Sequence, residues 1–472
     1  MTALSFLVFL GGFLAVGVMS ITRARDDADD YYLASRELSP LMTGLSAVAT
    51  NNSGYMFIGV IGYTYATGLA AIWLMVGWIL GDLLGSLLLH RHLREASGRA
   101  GAATLPGTLA GWQGQHMGGL RAAGGLIAVV FMGAYAAAQL AAGGKALTAL
   151  FGWHPDAGAL IGSGIVLLYC FAGGIRASIW TDTAQAIVML AAMTLLFGVG
   201  VHTLGGPGAT WTRLAAIDGY TDLVPPALLL PGAAGLALFI IGWLFAGLGV
   251  LGQPHIVVRF MALEQPSQMM RARFYYYVFF SLFYALATGV GMLARLYLPE
   301  LAAGDPELAL PTMARELLPP VLVGLILAGI FAATLSTADS LVLACSASVT
   351  TDLLPGRQQS RRTAKLATIA VTGLALLLAV AEPPSVFALV ILAWSALASA
   401  FVPLAVLLAL GQRPAQWQTI AIMLGGLAAS LGWYAVGLNA LLYEGLIGLL
   451  TGLALWPLSE WWRRRTVAVE AA

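Results

Sequence analysis

Two stretches decide how this chain folds: Ala49-Thr-Asn-Asn-Ser-Gly54 and Gly247-Leu-Gly-Val-Leu-Gly-Gln-Pro254. Both interrupt long apolar segments. Proline removes an N–H that a helix needs, and glycine holds a helix poorly. In lipid an unpaired N–H or C=O costs several kcal/mol, so a break survives only where it lines a cavity or is buried in protein. Paired breaks in the two halves of a membrane protein point to a transporter's binding site.

Composition supports a membrane setting. Of 472 residues, 59% are hydrophobic and only 10% charged, and mean hydropathy is +0.85. A soluble domain carries about 25% charged residues. The net charge of +1 and the lack of a basic patch interleaved with aromatics argue against a nucleic-acid partner. Cys170 and Cys345 lie in apolar segments, fit no metal spacing and read as packing residues. Residues 3–22 lack a basic leader and a cleavage site, so they read as a first transmembrane helix rather than a signal peptide.

Apolar stretches of spanning length recur thirteen times, over about 3–22, 40–67, 71–93, 118–146, 157–175, 178–203, 230–256, 273–298, 318–350, 363–381, 385–410, 417–437 and 440–461. With the N-terminus outside, all but Lys145, Arg213, Arg295 and Arg315 of the 23 basic residues fall on cytoplasmic connections. That asymmetry places the C-terminus in the cytoplasm of a multi-pass plasma-membrane protein. The run Asp26-Asp-Ala-Asp-Asp30 reads as a solvated face, and Arg259 as part of a cytoplasmic connection.

The breaks fall in spans two and seven, five apart. Five is odd, so a second set of five must sit upside down relative to the first, the inverted repeat of secondary transporters. The expected division is a peripheral helix and loop over 1–39, repeat one over 40–203, an external loop over 204–229, repeat two over 230–410, and two peripheral helices with a tail over 411–472. The external connections 204–229 and 299–317 are long enough to carry short capping helices, with plain linkers the equal alternative.

Three carboxylates fall within spans: Asp82, Asp182 and Asp339. Charge there is costly and usually functional. No Lys or Arg is expected mid-membrane to pair with them, so each is either protonated or meets a cation from solution. The alternative is a neutral acid that ties helices together. In Ala333-Thr-Leu-Ser-Thr-Ala-Asp-Ser340, the hydroxyls of Ser336, Thr337 and Ser340 cluster on about one helical turn. Small hard cations take such oxygens, together with carbonyls freed at Ala49 and Asn52. Helical Ser and Thr also bond their own i−4 carbonyls, the plainer alternative. Asn51, Asn52 and Ser53 offer donors and acceptors near the midplane, and N–H groups that open a half-helix favour an anion. No Gly-Lys-Ser/Thr phosphate loop suggests ATP, and no nucleophile–base pair or metal set suggests an enzyme.

Four motifs resemble the solute:sodium symporter family and its sodium/proline branch. They are Tyr32-Leu-Ala-Ser-Arg-Glu-Leu38, Trp180-Thr-Asp-Thr-Ala-Gln185, Gly252-Gln-Pro-His-Ile-Val-Val-Arg-Phe-Met-Ala262 and Leu335-Ser-Thr-Ala-Asp-Ser340. The resemblance implies an all-α, leucine-transporter-type five-plus-five fold. It implies a main sodium site of Ala49, Asn52, Ala333, Ser336 and Thr337. It also implies a second sodium or proton site of Asp182, Ser336, Asp339 and Ser340, with Asp339 departing from an all-hydroxyl pattern. The solute set carried over is Asn51, Ser53, Gly54, Tyr55, Asp82, Tyr135, Ala246, Val250 and Trp394.

Asn51 stands where the proline branch has an aspartate, and Ala246 and Val250 where it has aromatics. The implied function is sodium-coupled symport of a small polar solute, an amino acid or small carboxylate first. Its partners are the solute, Na⁺ and the lipid bilayer. A sugar or vitamin symporter is an alternative. So is a solute sensor, which the short tail after the last span, with no fused signalling domain, argues against.

Overall fold

Apolar runs opened by Pro, Ser or Thr become the helices. In the computed structural model, residues 1–470 are described apart from 24, 26, 226, 355–359 and 382–384; Asp26 and Arg357 therefore lie outside the described residues. The helices that frame the site are α1 (Thr2–Met19), α2 (Pro40–Gly54), α3 (Ile72–Ala100), α4 (Gly118–Phe151), α5 (Pro155–Thr203), α6 (Gly232–Leu248), α7 (Pro254–Met261), α8 (Met269–Tyr297), α9 (Pro320–Ala347), α10 (Arg361–Val380), α11 (Val386–Ala409), α12 (Gln416–Ala435) and α13 (Glu444–Glu470). Start signals are visible in the chain. Ser39 caps α2 with Pro40 behind it, and the Ser385 hydroxyl accepts the Ala388 N–H at the start of α11.

Among the described residues, nine helical stretches are long and apolar enough to cross a membrane. One runs from Pro40 to Ala100 and contains both α2 and α3. Within α5, two helices meet at Gly173 and Gly174. Gly174 has φ 57°, and a Cβ there would stand 2.4 Å from the Tyr31 carbonyl oxygen, so glycine is required at this corner.

The most enclosed helices are α9 and α11, with 83% of the apolar window of each buried. α9 packs against α5, α4, α1 and α2, and α2 in turn packs against α8, α5 and α7. α3 lies along α6 with almost no gap. A Cβ on Gly81 would sit 1.8 Å from the Leu244 carbonyl oxygen, and one on Gly247 would sit 2.0 Å from that of Trp78. Small residues let membrane helices approach this closely.

Both long connections carry short helices, Pro207–Ala215 in one and Ala309–Leu317 in the other. Glu307 accepts N–H bonds from Val386 (3.2 Å) and Phe387 (3.0 Å), and Lys145 binds Glu307 at 2.6 Å and Asp305 at 2.8 Å. The acid thus caps the positive end of α11.

One expectation about the acidic run fails. Asp27 and Asp29 are exposed, but Asp30 is buried and its carboxylate pairs with Arg176. Burial pushes the Asp30 carboxyl up. Arg176, the Arg25 N–H (2.8 Å) and the Ser35 hydroxyl (2.8 Å) outweigh it and hold the group below its ordinary value. A run of acids reads as solvated because sequence cannot show the arginine that another helix brings to it.

Candidate functional site

The first break is at Ser53, whose backbone adopts φ 42° and ψ −179°. A non-glycine residue held at positive φ costs about 1–3 kcal/mol. The surroundings hold it there. The Ser53 hydroxyl accepts the Tyr55 N–H (3.0 Å) and the Tyr135 hydroxyl (3.4 Å), and the Gly54 N–H donates to Gln139 Oε1 (2.7 Å). The chain continues through a π-helical turn over Tyr55–Val60.

The second break is a 3₁₀ turn over Gly249–Gly252 followed by extended Gln253. Gln253 Nε2 donates to the carbonyls of Gly249 (3.1 Å) and Trp394 (3.0 Å), while Trp394 Nε1 donates to Ala246 O (2.8 Å). Side chains thus meet the backbone groups that each broken turn releases.

α9 faces the first break. The Ser336 hydroxyl lies 3.2 Å from Ala49 O and 3.1 Å from Ala333 O; the Thr337 hydroxyl lies 2.8 Å from Thr50 O and 3.1 Å from Ala333 O. Each hydroxyl therefore serves its own helix and reaches across to α2. Ala49, Ala333, Ser336 and Thr337 come together. Asn52 does not join them through a hydrogen bond: both polar atoms of its buried side chain lack a partner. Thr50, one residue past Ala49, is the carbonyl that sequence reasoning missed.

Beside this lies a second polar cluster, and here an expectation is overturned. Arg259 is fully buried within α7 rather than in a connection, and its Nη2 pairs with Asp182 Oδ2 at 3.1 Å, the arginine partner that was not expected. Pro254 opens α7 right after the break, which turns Arg259 inward beneath it. Its Nε donates to Ser46 (2.9 Å) and its Nη2 also to Ser178 (3.0 Å) and Ser340. Asp182 Oδ2 further accepts from Ser46 (2.6 Å) and Thr50 (3.5 Å). Asp339 Oδ1 accepts from Ser178 (2.9 Å) and Ser340 (3.0 Å).

Asp182, Ser336, Asp339 and Ser340 are thus brought to one place around a guanidinium. Asp182 Oδ1 and Asp339 Oδ2 remain buried without a hydrogen-bond partner. With both acids ionised, one arginine leaves the cluster one positive charge short. A signal for Ser46 and Ser178 did exist. Ser46/Thr50, Ser178/Asp182 and Ser336/Ser340 are all i,i+4 pairs, so each pair shares a helix face. A cavity of about 20 Å³ lined by Tyr32, Thr104, Pro254, Arg259 and Ser340 reaches this cluster.

The nine solute positions are all buried, and Asn51, the most accessible of those with a stated exposure, shows 4%. Asp82 is committed to α8: Oδ2 accepts from Tyr276 (2.6 Å) and Oδ1 from Tyr277 (2.8 Å). Asn51 Nδ2 donates to the Tyr276 hydroxyl (2.5 Å) and lies 3.4 Å from Asp82 Oδ2. The Tyr55 ring lies 5.5 Å from Trp78 and 5.3 Å from Phe387, and Trp78 packs 5.0 Å from Trp394. Ala246 and Val250 flank the second break. Tyr135 meets His255 edge-on at 5.3 Å, and both His255 ring nitrogens are buried and unpartnered.

Comparison with known proteins follows this geometry. A profile of the sodium:solute symporter family matches residues 31–426. A high-affinity proline transporter of Bacillus subtilis is 31% identical over 453 residues, 93% of each chain. An osmoregulated proline transporter of the same organism is 31% identical, covering 87% of this chain and 84% of that protein. A sodium/proline symporter of Staphylococcus aureus is 30% identical, covering 92% and 85%. Among solved structures, a Na⁺-coupled sialic acid symporter in a substrate-bound outward-open state superposes with TM-score 0.79 at 19% identity, covering 96% of each chain. MhsT in complex with L-phenylalanine superposes with TM-score 0.59 at 15% identity, covering 92% of this chain and 99% of that one.

Proposed function

The chain belongs to the sodium:solute symporter family, a multi-pass plasma-membrane transporter that couples Na⁺ to a small solute, and from that premise we propose which residues do the coupling. The Na⁺ ligands are Ala49, Ala333, Ser336 and Thr337, with Thr50 and Asn52 beside them. One observation carries this: Ser336 and Thr337 of α9 bond the Ala49 and Thr50 carbonyls at the mouth of a broken helix. Every atom in those bonds is an oxygen, the donor set a small hard cation takes. The unpartnered buried side chain of Asn52 has an oxygen free to bind.

Asp182, Ser336, Asp339 and Ser340 take one further positive charge, Na⁺ or a proton, because Arg259 neutralises only one of the two acids. Two orphaned carboxylate oxygens support this. The solute sits among Asn51, Ser53, Gly54, Tyr55, Tyr135, Ala246, Val250 and Trp394 and is an amino acid or small carboxylate. Asp82 acts there through Tyr276 and Asn51 rather than by direct contact.

The architecture proposed with this reading is thirteen spans with the N-terminus outside and inverted repeats over 40–203 and 230–410. Access alternates about the buried site as the broken helices move against the rest. Binding of Na⁺ and solute must then strengthen each other by the same factor. One Na⁺ moving down 100 mV gains about 2.3 kcal/mol. A tenfold gradient adds about 1.4 kcal/mol, enough together for accumulation of several hundredfold.

The test is uptake by the purified chain in sealed proteoliposomes, with an inward Na⁺ or K⁺ gradient and a panel of labelled amino acids and small carboxylates. Accumulation above equilibrium only with Na⁺ is expected. Binding without accumulation would make the chain a sensor.

A further inference from the structure

The connection between α12 and α13 folds over a cavity of about 180 Å³ that neither cluster above uses. Its walls are aromatic: Tyr63, Trp243, Phe387, Tyr434 and Tyr443, with Glu444 among them. Tyr63 and Phe387 stack at 5.3 Å with their planes 3° apart, and Trp243 stacks on Tyr443 at 6.1 Å. Trp433 Nε1 pins the connection through Leu442 O at 3.0 Å.

Glu444 is 1% exposed, and one side chain serves it, the Ser395 hydroxyl at 3.0 Å. Among the described residues no Lys or Arg pairs with it and none lines the cavity. The nearby positive end of α11 is already taken by Glu307, and the start of α13, where Glu444 itself sits, offers only a partial positive charge.

A buried carboxylate without a countercharge is costly. Ring faces beside it carry negative potential and attract cations, most strongly once water is excluded. An anion would meet Glu444 unfavourably, and a neutral polyol would leave it unpaired. We propose that this cavity binds an organic ammonium group, held by Glu444 and the faces of Trp243 and Tyr443. It adjoins the solute positions, for Trp243 packs 6.2 Å from Trp78, which packs on Trp394. The inference rests on the symporter reading and deepens it: solutes that bear an ammonium are captured in this cavity ahead of sugars and plain carboxylates.

The test is equilibrium binding to the purified full chain at constant ionic strength, followed by tryptophan fluorescence. The probes are choline and its uncharged isostere 3,3-dimethylbutan-1-ol. Choline should give a saturable change that the isostere does not. Glu444→Gln should weaken choline by roughly tenfold or more, and Tyr443→Leu by severalfold. Should Glu444→Gln fail to fold, Tyr443→Leu, which keeps the carboxylate, carries the test. Equal binding of the isostere, unchanged choline affinity in a folded Glu444→Gln, or loss of choline binding on Tyr135→Ala alone would overturn the proposal. Binding needs no transport. Intact choline binding without Na⁺-driven uptake counts against the symporter assignment alone, and normal uptake without Glu444-dependent binding counts against this site alone.

Discussion

Arg259 and Asp182 meet as a fully buried ion pair, Nη2 3.1 Å from Oδ2, directly beneath the broken turn of α2. The pair joins α7 to α5 and borrows Ser46 and Thr50 from α2, so three helices share one charge balance. Removing Arg259 leaves buried acid uncompensated, which costs about 3–5 kcal/mol, whereas removing Asp182 leaves Arg259 balanced by Asp339. Arg259→Gln should therefore lower the melting temperature in detergent clearly, and Asp182→Asn less. The double variant should lose much less than the sum. Additive losses would show that the two do not interact.

Ser336→Ala and Thr337→Ala each delete one oxygen that bridges α9 to α2. We expect the Na⁺ concentration for half-maximal uptake to rise about tenfold in either, the size of one lost hydrogen bond to a charged group. Unchanged sodium dependence in both would remove the assignment.

Asp339 has no arginine of its own, and its Oδ2 is unpartnered. Asp182→Asn or Asp339→Asn should therefore lower the number of cations moved per solute or stop transport. Flux ratios of labelled Na⁺ and solute in proteoliposomes measure this. A normal ratio at a normal rate would make both acids structural.

Proline should be a poor solute here even though relatives carry it. Asn51 is tied to Tyr276 and Asp82, and Ala246 and Val250 present small side chains at the second break. Competition assays with unlabelled proline read the outcome directly, and high-affinity inhibition would refute it.

Asp30, in the connection between α1 and α2, gives a pH signature. Its carboxyl is held below its ordinary value, so the stability it adds is fully present above the unfolded value of about 3.9. That stability disappears as pH falls through the lower folded value. Melting temperature should drop more steeply below pH ~4 in the natural chain than in Asp30→Asn.

Much of this was legible in the chain. Glycine and proline betray the second break, and the polar run closed by Gly54 the first, because such stretches cannot keep a helix in lipid without partners from elsewhere. The Ser336/Thr337 pair is legible because hydroxyls on an apolar helix need partners. Thr50 was missed by a small margin, since a residue's φ decides which carbonyl points outward and Ser53, not Asn52, takes the unusual value. Arg259 was misplaced for a different reason. Positive charge next to a turn reads as part of a connection, and only tertiary packing shows that α7 carries it to Asp182. Glu444 carries no sequence signal, because an acid at a helix start reads as an ordinary dipole partner.

Where α3 meets α6, only a hydrogen atom fits between Gly81 and the Leu244 carbonyl. Such a seam behaves as a weld. The two helices cannot slide past or peel apart without opening a void, and a methyl group added at Gly81 would prise the seam open rather than stiffen it.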